Sequence, residues 1–181
     1  QNQGLSRTLN GMIARAKGVL ITPFGSDDIM RPERLETQVA FMHGKPEVGI
    51  CAGNVEYIDG SGTVLARQQR NSARRLDFED VFLNLKPGAS AATLLFRREA
   101  LDAVGGFDPA IRLEDVYIEL KVTQFGYCIE VMEEVLAQYR MHSTNTYKNY
   151  AFMVDSMLAT LGKFSDHPRY HEARNRYLNS M

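Results

Sequence analysis

The sequence predicts an α/β domain in which strands alternate with helices. Its 181 residues are enough to bury one substantial core, and 44% of them are hydrophobic while 24% are charged, as in an ordinary globular protein. Short apolar, β-branched runs typical of strands are separated by segments whose apolar residues recur with the period of a helix. These two observations together predict the fold class.

Bulk composition narrows the classes of function. Basic and acidic residues nearly cancel, with a formal net charge of −1, so the composition does not favour a nucleic-acid partner. No apolar run reaches the length of a membrane span. Cys51 and Cys128 lack the spacing of a metal site, which predicts two buried thiols in a reducing, cytoplasmic environment.

The first predicted elements carry clear signals at their boundaries. A helix over residues 5–16 has one apolar face and ends at Gly18. Residues 19–24 are apolar and partly β-branched, which predicts a buried strand. Pro32 begins an amphipathic helix over residues 32–41. The predicted inward side chains of that helix are Leu35, Val39 and Met42, and the outward ones are Glu33, Arg34 and Glu36.

The same reasoning places the remaining elements. Residues 48–58 are rich in Val, Ile and Tyr, which predicts a strand followed by a turn and a returning strand over residues 63–65. Residues 67–75 are polar and basic without a period, which predicts a surface loop. Further helices are predicted over 76–85, 97–104, 114–125, 147–161 and 169–178, and further strands over 92–96, 127–132 and 135–139.

Asp27 and Asp28 stand just behind the strand predicted over residues 19–24. Open α/β sheets bind ligands at the carboxyl ends of their strands, and adjacent carboxylates repel each other unless a cation lies near them. Carboxylate oxygens suit Mg2+ or Mn2+, so the pair predicts a metal-diphosphate site. The alternative is that both acids cap the following helix or lie in a solvated turn.

Two later motifs also carry groups capable of chemistry. Glu114 and Asp115 open a predicted helix, where a carboxylate can act as a general base, although acidic residues are also common in the first turn of any helix. His142 follows the strand predicted over 135–139 and can ligate a divalent ion, while Arg140 can clamp a phosphate. The alternative for these two is a surface histidine and a salt-bridged arginine.

Several common catalytic motifs are absent from the sequence. It has no Gly-x-Ser-x-Gly elbow, no Gly-x-x-x-x-Gly-Lys phosphate loop, no Cys-x-x-Cys and no His-Glu-x-x-His. These absences count against a hydrolase, a nucleotide triphosphatase and a zinc enzyme.

The order of the motifs resembles that of bacterial family 2 glycosyltransferases of the GT-A fold. The resemblance runs from residue 1 to about residue 145 and rests mainly on Ser26-Asp-Asp28, Leu94-Leu-Phe-Arg-Arg-Glu-Ala-Leu101, Val104-Gly-Gly-Phe-Asp108, Glu114-Asp115 and Tyr139-Arg-Met-His142. It implies a GT-A-like mixed sheet flanked by helices, with a partial transferase domain over 1–145 and a helical extension over 146–181. The family's first strands have no counterpart here, so an N-terminally truncated domain that binds its donor poorly is expected.

The resemblance also implies roles for individual residues. Asp27 corresponds to the metal ligand that ends the family's Asp-x-Asp motif, and Asp28 is expected at the substrate beside it. Asp115 corresponds to the catalytic base, with Glu114 next to it. His142 matches a position that reaches the metal or diphosphate in some relatives. Two positions depart from the pattern: Gly25 stands where the family has its first aspartate, and Tyr117 where relatives often carry a further acid.

The reaction implied is transfer of a sugar from a nucleotide-diphosphate donor to a hydroxyl of a saccharide or lipid-linked acceptor, inverting and dependent on Mg2+ or Mn2+. Such an enzyme would build cell-surface polysaccharide or glycolipid in the cytoplasm, at the inner face of the membrane in peripheral association. Residues 67–90 are predicted to set the choice of acceptor. Two alternatives stay open: a sugar-nucleotide nucleotidyltransferase, and a transferase-like binding module without catalysis.

Overall fold

The computed structural model describes residues 3–66, 68 and 70–180. The helices within them are α1 (Leu5–Arg15), α2 (Arg34–Met42), α3 (Phe78–Phe82), α4 (Arg98–Val104), α5 (Glu114–Gln124), α6 (Tyr150–Gly162) and α7 (Tyr170–Ser180). The strands are β1 (Leu20–Ile21), β2 (Ile29–Met30), β3 (Val48–Ile58), β4 (Arg74–Leu76), β5 (Leu95–Arg97) and β6 (Cys128–Arg140). Short 3₁₀ turns cover Ala91–Thr93 and Thr146–Lys148.

The described strands form one mixed sheet, as the resemblance implied. Its order is β1-β5-β3-β6-β2, and β4 pairs with another part of β6. The long strands β3 and β6 run parallel at the centre, and every other pairing is antiparallel. Because β3 and β6 point the same way, the loops behind Ile58 and Arg140 emerge at the same end of the sheet.

Two clusters of buried side chains hold the helices against the sheet. The main cluster includes Ile50 and Ile129 from the central strands and Ile118 from α5. The two helices after residue 145 also pack into this cluster. Met157 and Leu161 come from α6, Ala173 comes from α7, and Phe164 comes from the turn between them. The second cluster includes Met42 from α2 and both cysteines, which are buried and unpaired as predicted. The domain boundary at residues 145 and 146 stays a prediction.

Two strand predictions were wrong in detail. The buried strand expected over residues 19–24 is only the two-residue β1, which pairs with β5 alone, and Val19 is 77% exposed. The two strands expected over 127–132 and 135–139 are one continuous strand, β6. Glu133 and Glu134 interrupt the apolar pattern, yet β6 passes through them beside β3 because irregularities in the ladder near Ala52 and Asn54 absorb the change in register.

The predicted face of α2 was also wrong. Leu35 and Val39 are 43% and 47% exposed, whereas Arg34, Gln38 and Met42 are buried. Of the three residues predicted to point inward, only Met42 does so. The spacing i, i+4, i+8 shows that the buried stripe is a regular helical face, rotated from the apolar one. On α1, Leu5 and Met12 are likewise exposed, and Leu9 and Ile13 make the contact with the core.

The buried stripe of α2 is stabilised by hydrogen bonds. Arg34 is 0% exposed, and its Nε donates to Gln38 Oε1 at 2.9 Å. Its Nη1 donates to the carbonyl oxygen of Ala92 at 2.8 Å, and its Nη2 to Thr22 Oγ1 at 2.9 Å. Gln38 in turn donates to the carbonyl oxygens of Cys51 and Thr93. A polar pair therefore ties α2 to the segment behind β1 and to the centre of the sheet.

The other predicted elements form close to their expected positions. The helices expected over 97–104, 114–125, 147–161 and 169–178 shift by a few residues at most, while the one expected over 76–85 is only α3. The returning strand expected over 63–65 is reduced to a single bridge between Ile58 and Val64. In the loop expected over 67–75, residues 67 and 69 lie outside the described residues, and β4 begins at Arg74. None of the described helices combines the length and apolar character that crossing a membrane requires.

Candidate active site

Asp27 and His142 meet although 115 positions separate them in the chain. The loop before β2 carries Asp27, and the loop after β6 carries His142. His142 Nε2 lies 3.1 Å from Asp27 Oδ2, and His142 Nδ1 lies 2.8 Å from Thr144 Oγ1. Both side chains remain accessible, with 51% of the Asp27 side chain and 34% of the His142 side chain exposed. A carboxylate and an imidazole therefore face solvent together.

Asp28 is fixed more firmly than its neighbour. Its Oδ1 accepts a hydrogen bond of 2.9 Å from the backbone N–H of Arg140. Burial is the main reason that the pKa of Asp28 lies above its ordinary value, and the Arg140 N–H partly offsets this rise while the charge of Asp27 adds to it. Asp28 thereby attaches the acidic loop to the end of β6, and its carboxylate is held beside that of Asp27.

Arg140 holds three backbone segments together. Its Nε donates to the carbonyl oxygen of Asp27 at 2.7 Å, and its Nη1 donates to those of Asp59 and Gly60 at 3.0 and 3.1 Å. Within the described residues, only Nη2 of its guanidinium has no hydrogen bond. The predicted phosphate clamp would thus have one free nitrogen, and the observed contacts position the Asp27 loop.

Asp115 lies in the first turn of α5 and is partly buried. Its Oδ1 accepts a hydrogen bond of 2.8 Å from the backbone N–H of Val116, one of the free donors at the start of the helix. Burial raises the pKa of Asp115 above its ordinary value. Within the described residues this carboxylate accepts only from the backbone N–H groups of Val116 and Asp115 itself, so it keeps the capacity to accept a proton.

One cleft of about 310 Å3 brings these groups together. Its lining includes Asp27, Asp28, Asp115 and His142, which come from three separate parts of the chain. Glu114 and Arg140 are not among its lining residues. Glu114 precedes Asp115 in the sequence, and Arg140 donates a hydrogen bond to the backbone of Asp27. The roles of all six residues stay predictions, and the geometry places four of them around one space.

Sequence reasoning missed Asn145, which lines this cleft and is buried. Its Oδ1 accepts from the backbone N–H of His142 at 2.6 Å, and its Nδ2 lies 3.2 Å from His142 Nε2. It also donates to the carbonyl oxygen of Arg140 at 3.1 Å. An Asn three positions after His142, the predicted metal ligand, was an available signal, because Asn side chains commonly bond nearby backbone groups in turns.

The match to a known family decides what kind of protein this cleft belongs to. Residues 1–105, more than half of the chain, match the sequence model of the family described as Glycosyl transferase family 2. The chain belongs to this family. Membership of glycosyl transferase family 2 favours the transferase prediction over the nucleotidyltransferase alternative.

Curated relatives that are named glycosyltransferases agree with this assignment. The amylovoran biosynthesis glycosyltransferase AmsE of Erwinia amylovora is 26% identical over 145 residues, which cover 79% of this chain and 53% of that protein. An uncharacterized glycosyltransferase of Haemophilus influenzae is 26% identical over 143 residues, covering 78% of this chain and 52% of that protein. The chain spans about half the length of the curated relatives that it matches.

Solved glycosyltransferases share the fold. The mannosyltransferase PcManGT of Pyrobaculum calidifontis, solved in complex with GDP-Man and Mn2+, superposes with a TM-score of 0.67 at 16% identity, covering 97% of this chain and 50% of that one. TarS 1-349 of S. aureus, solved in complex with UDP-GlcNAc, also gives 0.67 at 16% identity, covering 98% of this chain and 52% of that one. The predicted GT-A-like α/β fold is therefore confirmed.

The donor set of the cleft fits a cation that also binds a substrate. Among the described residues, no three His, Cys, Asp or Glu side chains cluster closely enough to hold a metal alone. Mg2+ commonly takes one or two carboxylates and completes its shell with substrate phosphates and water. A Cβ on Gly25 would lie 3.1 Å from Asp27 Oδ1 and 3.4 Å from Asp28 Oδ2. Both carboxylates therefore lie close to position 25, where the resemblance leads one to expect another aspartate.

Glu114 gives a testable dependence of stability on pH. Burial, with a contribution from the charge of Asp115, raises the pKa of Glu114 from 4.5 to about 7. Between these values the folded state binds more protons than the unfolded state, so stability falls as the pH rises. Glu114→Gln should reduce the loss of unfolding free energy across this window by roughly 1–3 kcal/mol.

Urea unfolding at a series of pH values measures this effect. The matched control is Glu33→Gln, because Glu33 is exposed before α2 and should leave the slope unchanged. The buried Glu119, whose pKa is raised by burial well above its ordinary value, adds a slope of the same sign that both variants retain. Equal slopes in Glu114→Gln and the unmodified protein would contradict the assignment of this proton to Glu114.

Proposed function

We propose that the cleft around Asp27, His142 and Asp115 is the reaction centre of a glycosyltransferase that uses a nucleotide-diphosphate sugar. The observation that carries this proposal is the convergence of these groups, predicted from distant motifs, around one space. The donor class is supported by the ligands of the two structural neighbours, GDP-Man and UDP-GlcNAc. A role in cell-surface polysaccharide synthesis is supported by the amylovoran relative.

Asp115 would act as the general base. In the proposed step a hydroxyl oxygen of the acceptor attacks the anomeric carbon of the donor sugar, and its proton passes to Oδ2 of Asp115. The bond from that carbon to the diphosphate oxygen breaks, and its electron pair leaves with the nucleoside diphosphate. Attack from the face opposite the leaving group inverts the anomeric configuration. The hydrogen bond from Val116 keeps the carboxylate oriented for this transfer.

Asp27 and His142 would hold Mg2+ or Mn2+ at the diphosphate, with Asp28 beside them. When bound, the cation would offset the charge that develops on the leaving diphosphate. The protein's own contribution is to position the ligands: Asn145 fixes the His142 loop, and Arg140 fixes the backbone of Asp27. The remaining nitrogen of Arg140 would then contact a phosphate oxygen. The acceptor would be a saccharide or a lipid-linked saccharide at the cytoplasmic face of a membrane.

Calorimetry on the full-length gene product tests the donor site. UDP- and GDP-sugars are titrated with and without Mn2+, and we expect one of them to bind only with the metal. Asp27→Asn should weaken that binding at least about tenfold, since even outer partners of a metal ligand cost 10- to 100-fold. Asp166→Asn, at an exposed position before α7, is the control. Equal affinities in Asp27→Asn and the unmodified protein would refute the metal assignment.

A transferase-like module without catalysis is the second candidate, and Gly25 is the observation that favours it. Glycine there removes an acid that the family uses next to Asp27 and Asp28. The discriminating measurement is product formation from a bound donor. Metal-dependent donor binding without transfer or donor hydrolysis under any acceptor condition would support the module and exclude the enzyme.

A further inference from the structure

A second cleft adjoins the reaction centre and has a different chemical character. It encloses about 570 Å3, and its lining includes Tyr57, Tyr139, Tyr147, Met141 and Ser90. We call it the tyrosine groove. Tyr57 and Tyr139 meet edge to face, with ring centroids 6.1 Å apart and an interplanar angle of 88°. Their rings and that of Tyr147 therefore present apolar surfaces at several angles, with hydroxyl groups at the edges.

The tyrosine groove lies directly beside the reaction centre. Tyr139 and Tyr147 line both spaces, so these two residues form the boundary between them. The hydroxyl of Tyr139 lies 3.5 Å from Asn145 Nδ2, the amide that also holds the His142 loop. A molecule lying in the groove can thus extend past this boundary toward Asp115 without leaving the protein surface.

The lining chemistry selects the kind of molecule that fits. Every residue that lines the groove is uncharged, so a nucleoside diphosphate would find no cation there. The hydroxyl groups of Tyr139 and Tyr147 contact Asn145 Nδ2 and Met141 Sδ, whereas those of Tyr57 and Ser90 form no hydrogen bond within the described residues. A fully apolar chain would offer the latter two no partner. A pyranose ring satisfies both conditions, because its C–H face packs on an aromatic ring and its hydroxyl groups bond at the edges.

The groove also has room for more than one sugar. It shares Tyr57 and Ser90 with a third space of about 350 Å3, which extends the path to Asn71 and Arg74. Ser90 and Asn71 belong to residues 67–90, the segment predicted to choose the acceptor. Tyr147 is 43% exposed at the open side, so a chain can also leave toward solvent.

We infer that the tyrosine groove binds the acceptor as an uncharged oligosaccharide, whose terminal hydroxyl reaches Asp115 past Tyr139. This inference rests on the proposed function, because it identifies the acceptor of the same reaction. It assigns the acceptor's recognition to aromatic stacking and neutral hydrogen bonds, and it separates that recognition from the charged donor site.

Calorimetry provides a direct test. The full-length gene product is titrated with neutral tetrasaccharides built from glucose, mannose, galactose or N-acetylglucosamine. We expect at least one to bind, and Tyr147→Ala to raise its Kd by roughly tenfold. Tyr147 is exposed, so its removal leaves the core packing intact.

Control variants and outcomes make the result decisive. Tyr150→Ala, at a more exposed tyrosine that does not line the groove, should bind the tetrasaccharide like the unmodified protein. Absence of binding by every tetrasaccharide, or equal binding by Tyr147→Ala, would overturn the inference.

The two proposals fail in different ways. Sugar transfer with an acceptor KM that is unchanged in Tyr147→Ala would overturn the groove and leave the transferase standing. Tetrasaccharide binding that depends on Tyr147, without transfer from any nucleotide sugar, would support the groove and refute the transferase.

Discussion

Asp115→Asn is expected to lower the rate of sugar transfer by about 10²–10⁴, the usual contribution of a positioned general base. Asn keeps the shape of the side chain and can still accept the hydrogen bond from Val116 that orients it. It cannot accept the proton of the acceptor hydroxyl. Donor affinity should therefore stay unchanged while kcat falls, and the two are measured by calorimetry and by product formation in the full-length gene product.

The pH profile distinguishes loss of a base from general damage. Burial raises the pKa of Asp115, and the carboxyl must be deprotonated to act, so kcat/KM should fall as the pH drops through that pKa. Asp115→Asn should lose this acid limb. Asp155→Asn, at an exposed position on α6, should keep both the rate and the profile. A rate in Asp115→Asn within about tenfold of the unmodified protein would exclude Asp115 as the base.

The cleft could be predicted from the sequence because its residues lie in loops beside strands or at a helix start. Short motifs such as Ser26-Asp-Asp28 and Glu114-Asp115 can be recognised from a few neighbouring residues, and the family resemblance indicated that they serve one site. The end of a strand or helix determines where such residues lie, and this position does not depend on how the rest of the element packs. The parallel pairing of β3 with β6 then directs the loop that carries His142 to the same end of the sheet as the turn after β3.

The packing of α2 could not be predicted in this way. Apolar periodicity assigned its inward face to Leu35 and Val39, since it counts only the transfer of side chains from water. The buried face is instead set by the carbonyl oxygens of Ala92, Thr93 and Cys51, which belong to the 3₁₀ turn and to β3. These oxygens accept hydrogen bonds from the polar side chains of α2. Those partners are distant in sequence, and no local pattern reveals them. The same holds for the tyrosine groove, whose rings come from β3, β6 and the turn after β6.

Arg34→Met should therefore destabilise the fold by about 2–5 kcal/mol, because buried acceptors lose their donor. Burial lowers the pKa of Arg34 to about 10, so the guanidinium is still charged at neutral pH, and it forms no ion pair within the described residues. Met has a similar length but no donor. Gln38 Oε1 and the carbonyl oxygen of Ala92 would lose the N–H that they accept from Arg34, and an unpaired buried polar group typically costs about 1–3 kcal/mol.

Leu35→Ser is the matched control on the neighbouring position of α2. If Leu35 pointed into the core, as the apolar pattern predicted, this substitution would be costly. Because the Leu35 side chain is 43% exposed, the substitution should cost less than about 1 kcal/mol. Urea unfolding measures both variants, with equal slopes required before midpoints are compared. A larger loss of unfolding free energy in Leu35→Ser than in Arg34→Met would show that the apolar face of α2 packs against the core. The expected ranking instead makes a buried, hydrogen-bonded arginine the contact that orients this helix.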